Sequence, residues 1–85
     1  MDSQDKFNRG KTAQRLMDDP IIQSALADLE GMYINDWKTS TVDDVVKRER
    51  AFASMSVLHD FKAALQSYVD TGKLAGKHLE RNSKL

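Results

Sequence analysis

Three groups of residues in this sequence have types and spacings that could do chemistry. Ser56, His59 and Asp60 bring a hydroxyl, an imidazole and a carboxylate within five positions, the parts of a nucleophile, a base and an orienting acid. On a helix, Ser56 and His59 are neighbours, but His59 and Asp60 point about 100° apart, and no oxyanion loop accompanies them. Gly10-Lys11-Thr12 matches the end of a phosphate loop, yet the glycine that such a loop needs five residues earlier is Asp5. The carboxylate pairs Asp18-Asp19 and Asp43-Asp44 stand where helices are expected to begin, and capping accounts for them without acid–base catalysis. His59 and His78 are 19 residues apart with no HExxH or Glu-x-x-His element, so no metal site is expected. No cofactor is expected, and the chain reads as a non-enzyme.

Two further groups suit binding. Lys47-Arg48-Glu49-Arg50 is a basic cluster with one acid, either a solvated helix face or a contact for phosphate or an acidic partner. Lys73, Lys77, Arg81 and Lys84 are spaced by 4, 4 and 3, which would line them along one face of a helical tail. Lys47, Arg48, Arg50, Lys73, Lys77 and Arg81 are therefore the candidate nucleic-acid contacts. Among the aromatics, Tyr33, Trp37 and Phe52 fall at helical spacing and suit a core, with Trp37 placed to anchor a partner.

The elements that must position these residues are all helical, and the fold class expected is all-α. Residues 1–11 are polar, contain Gly10 and read as a flexible arm. Residues 12–18 suit a short helix. Asp19-Pro20 marks a fresh start, since proline is favoured at the first helical position. From Pro20 to Lys38, Ile22, Leu26, Leu29, Tyr33 and Trp37 recur at helical steps. Gly31 interrupts that run and suggests close approach of another backbone. Residues 39–41 form a polar link, with Ser40/Asp43 or Thr41/Asp44 as a capping box. From Val42 to Thr71 nothing breaks a helix, and Gly72 stands where a terminating glycine is expected. About 30 residues give a rod of about 45 Å.

A short link implies an antiparallel helical hairpin of about 20–38 and 42–71. Counting outward from the link sets Trp37 near Val45, Leu29 near Phe52, Leu26 near Met55 and Ile22 near Leu58. The second helix then outruns the first and leaves Phe61, Leu65, Tyr68 and Val69 to be covered. Either residues 12–18 fold back, with Leu16 and Met17 against Leu65, or a second chain covers them. Trp37, Phe61, Leu65 and Tyr68 are accordingly the expected partner interface. The organisation is an arm (1–11), one helical domain (12–72) and a basic tail (73–85).

The chain has 85 residues, 13 basic against 13 acidic, and no cysteine. That length allows one domain with a small core. Neutral charge argues against a general nucleic-acid binder, and the absence of cysteine excludes a disulfide scaffold or a thiolate metal site. The first residues lack an apolar stretch, so no secretory signal is expected, and no run suits a membrane span.

Asp19-Pro20, Leu29-Glu30, Tyr33-Ile34-Asn35-Asp36-Trp37, Arg48-Glu49 and Thr71-Gly72-Lys73-Leu74-Ala75 occur in this order across residues 12–79. This arrangement resembles a group of short uncharacterised proteins of tailed bacteriophages and prophages, often encoded near head-assembly and packaging genes. The resemblance implies an all-helical fold, a location in the cytoplasm of an infected bacterium or in the virion, and work in virion assembly or DNA packaging. It supplies no active-site residues. The expected partner is protein, including a second copy in a homo-oligomer. The alternatives are a nucleic-acid-binding accessory protein and an inhibitor of a host protein.

Overall fold

A computed structural model describes residues 1–83 of the chain. It is all-helical, with α1 over Ser3–Asp18, α2 over Pro20–Thr39 and α3 over Val45–Ser83. Two compact units form among the described residues: residues 1–19 with those from Ala63 onward, and residues 20–62. Helix α3 contributes to both.

Helix α1 starts nine residues earlier than expected, and residues 3–11 are helix rather than arm. The side chain of Asp2 accepts a hydrogen bond from the Asp5 amide at 2.8 Å and so caps a free N–H of the first turn. The helix stops at Asp18 because Asp19, held extended (φ −69°, ψ 123°), precedes proline. The proline ring disfavours helical backbone in the residue before it. Pro20 then opens α2, as its fixed φ and missing N–H suit the first helical position.

In the first unit α1 packs on the C-terminal part of α3 through small residues. Gly10 and Gly72 meet backbone to backbone. A Cβ built on Gly10 would lie 2.8 Å from both the Gly72 Cα and the Tyr68 carbonyl oxygen. A Cβ on Gly72 would lie 2.8 Å from the Gly10 Cα and 3.1 Å from the Lys6 carbonyl. Only glycine permits this approach, which also brings Cα–H groups toward facing carbonyls. Around the crossing, Ala13, Leu65 and Val69 form the buried core, with Met17 packed against them. One turn on, Gly76 faces the Phe7 ring. Arg9 lays its guanidinium 4.3 Å above the centre of the Tyr68 ring.

Two expectations change here. Gly72 does not end the long helix, which runs to Ser83, because its bare face is filled by Gly10 instead of by a C-terminal turn. The tail over residues 73–83 is therefore helix. The expected contact of residues 12–18 with Leu65 is present through Ala13 and Met17, whereas Leu16 is 43% exposed.

The second unit pairs α2 with the N-terminal part of α3. Helix α2 closes with Thr39 Oγ1 donating to the Asn35 carbonyl (2.9 Å) and Ser40 Oγ to that of Trp37 (2.6 Å). The turn is longer than the expected three residues. Helix α3 begins at Val45, capped by Asp44, whose Oδ1 accepts from the Lys47 amide at 3.2 Å. Cross-helix contacts shift accordingly. Lys47 Nζ donates to Thr39 Oγ1 (3.3 Å), and Lys62 Nζ pairs with Glu30 Oε2 (2.9 Å). Counting from a three-residue link had set Leu29 near Phe52. The longer turn carries the facing residues of α3 further along the helix, so that Glu30, next to Leu29, meets Lys62. Nothing lies within 4 Å of a Cβ on Gly31, so no backbone approaches there, contrary to expectation.

The glycines therefore make opposed predictions. Gly10→Ala must push two backbones apart and should lower stability by about 1–3 kcal/mol. Gly76→Ala meets only the Phe7 ring, at 3.0 Å, and should cost less, because a ring can turn away. Gly31→Ala fills open space in a helix and should raise stability by about 0.5–1 kcal/mol. Chemical denaturation of the three variants, followed by circular dichroism, checks the order.

Candidate functional site

The residues that could have served catalysis do not assemble a site. Gly10, Lys11 and Thr12 lie in the middle of α1, where Gly10 is buried against α3 and no loop is present to wrap a phosphate. Ser56, His59 and Asp60 are exposed on α3, and no hydrogen bond links them. Among the described residues no group of three or more His, Asp or Glu side chains is placed to hold a metal ion. Asp18 accepts a hydrogen bond from Gln14 Nε2 within its own helix, and Asp44 caps α3. No described helix is long and apolar enough to cross a membrane.

The basic residues divide. Lys47 reaches Thr39 across the turn and lines a depression with Asp36 and Asp44. Arg48 places its guanidinium 6.0 Å from the centre of the Trp37 ring, at the outer limit of cation–π attraction. Arg50 lines both the depression beside the turn and the apolar groove described below. Lys47 and Arg50 are exposed, and Arg48 is partly covered beside Trp37. Lys73, Lys77 and Arg81 lie on helical backbone at steps of four, as a shared face requires. Lys73 also borders a shallow depression with Lys11, Phe7 and Gln14. Lys84 lies outside the described residues.

Of the expected partner contacts, Leu65 is withdrawn: it is 9% exposed in the core beside Ala13 and Val69, where α1 covers it. Tyr68 lies under Arg9. Trp37 is 44% exposed and shares a small depression with Val45 and Phe52. Phe61 is half exposed and lines the principal apolar feature of the second unit.

That feature is an open groove of about 530 Å³ bounded by Leu26, Leu29 and Tyr33 of α2 and by Ala53, Val57 and Phe61 of α3. None of the 20 residues of α2 is buried, although Ile22, Leu26, Leu29 and Tyr33 follow the spacing of a core stripe. Val57 is 68% exposed at the centre of the α3 wall. Sequence reading placed Phe61 on an uncovered face but missed Val57 and Ala53. The signal was there: Ala53, Val57 and Phe61 are four apart and form an apolar row along one side of the helix. Apolar residues lining a concave surface with few polar groups suit docking of another apolar surface. No family model, curated protein or solved structure matches the chain.

Proposed function

We propose that this chain is a non-enzymatic helical interaction module, that α2 and the first half of α3 act as an antiparallel hairpin, and that it docks protein through the groove between them. The observation that supports this is the incomplete core of that unit. Its apolar stripe faces a groove, and a surface of this kind gains free energy only when another surface covers it. Phe61 and Val57 are the anchors, and Trp37 with Phe52 extends the apolar surface toward the turn. The resemblance to small tailed-phage proteins supports a role in virion assembly or DNA packaging in an infected bacterium. One observation favours a second reading, an accessory contact to nucleic acid. Helix α3 continues through residues 73–83 and sets Lys73, Lys77 and Arg81 at steps of four.

Light scattering behind a sizing column separates the two. The chain is run alone, with co-expressed head-assembly proteins, and with a short DNA duplex at low salt. The interaction reading expects a protein-bound species, self or partner, that Phe61→Glu weakens at least tenfold, and no shift with DNA. A monomer that shifts only with DNA, and stops doing so when Lys73, Lys77 and Arg81 become Ala or when salt is raised, replaces it with the nucleic-acid reading.

A further inference from the structure

We propose that the occupant of this groove is the same unit of a second copy of the chain, the two pairing in antiparallel fashion about a two-fold axis at Val57. The proposal rests on the interaction reading above and names its partner. Two helices make one layer, and one layer has no interior; a second layer of two helices completes a four-helix core.

The row is uncovered within one chain: Val57 is 68% exposed and Phe61 51%.

The groove also complements itself. A two-fold contact must set a patch against its own copy. Ala53, Val57 and Phe61 form a row at steps of four on α3, one of the ridges by which helices pack on one another. About an axis at Val57, Ala53 lies opposite Phe61 of the second copy and Phe61 opposite its Ala53. Each large ring thus meets a methyl group, and Val57 meets itself. Arg50 is the charged residue lining the groove. In this arrangement the two Arg50 residues stand at opposite ends of the paired row. A parallel pairing would set two Arg50 guanidinium groups face to face.

The test uses the full chain, which has no native cysteine. Light scattering should give twice the 9.6 kDa chain mass. Val57→Cys should form a disulfide-linked dimer under mild oxidation. Val42→Cys, in the turn and 81% exposed, should not. Val57→Glu and Val57→Lys should each weaken self-association by roughly 100-fold, and mixing the two should restore a dimer of one of each. Because Val57 is exposed within one chain, circular dichroism should show unchanged helix content in all three variants. A chain that stays monomeric at hundreds of micromolar, or that cross-links equally from 42 and 57, overturns the proposal. A monomer that instead binds a head-assembly protein, and releases it on Phe61→Glu, overturns self-pairing and leaves the interaction reading in place. A monomer that responds only to DNA overturns both.

Discussion

The approach of Gly10 to Gly72 is the contact on which the first unit depends. With no side chain on either residue, α1 and α3 come together at backbone distance, and the neighbours Ala13, Leu65 and Val69 close over one another. Larger residues at the crossing would hold the helices apart and open that core. The same contact explains why α3 does not stop at Gly72. A glycine in mid-helix loses about 1 kcal/mol of propensity, and packing against α1 offsets the loss. Arg9 follows from the geometry as well. Its Nε is buried with no hydrogen-bond partner, and its guanidinium rests on the Tyr68 ring, so π attraction substitutes for a missing acceptor.

The second unit is built on another principle. Its cross-helix links are polar and exposed: Lys47 to Thr39, and Lys62 to Glu30 with both side chains more than 40% exposed. Such an ion pair contributes at most about 1 kcal/mol. Ala51 is buried in α3, but α2 buries nothing fully. The first unit buries Ala13, Leu65, Val69 and Ala75 against its own residues, whereas the second keeps an apolar row in water. That contrast is what makes the second unit the place to look for function.

The helices themselves were legible wherever the signal was local. Asp19-Pro20 marked the break between α1 and α2, and the apolar steps from Ile22 to Trp37 marked α2. The errors came where a residue's meaning depended on a distant one. Gly10 read as part of a flexible arm and Gly72 as a cap because glycine has those meanings in isolation, and each acquires another only when the two are seen together. Gly31 was assigned the close approach that Gly10 and Gly72 make. The Asp2 cap was locally readable from the Asp2–Asp5 spacing, but the expectation of an arm obscured it. The turn misled in a similar way. Ser40, Thr41, Asp43 and Asp44 offered overlapping caps, and choosing the earlier ones moved the start of α3 by three residues and with it every facing pair. Within the groove, Phe61 was recognised because it fell in the stretch of the long helix expected to outrun α2. Val57 and Ala53 were not, since their spacing matters only beside α2.

The single tryptophan has a consequence for how this chain can be watched. Trp37 sits at the end of α2, partly open to water and close to Arg48, and the tyrosines are divided, Tyr33 in the second unit and Tyr68 in the first. Indole emission is therefore a native reporter of the second unit alone. It is spectroscopically blind to the glycine crossing except through α3, which the two units share. Comparing its unfolding curve with that of the amide signal would show whether the molecule melts as one cooperative body or as two.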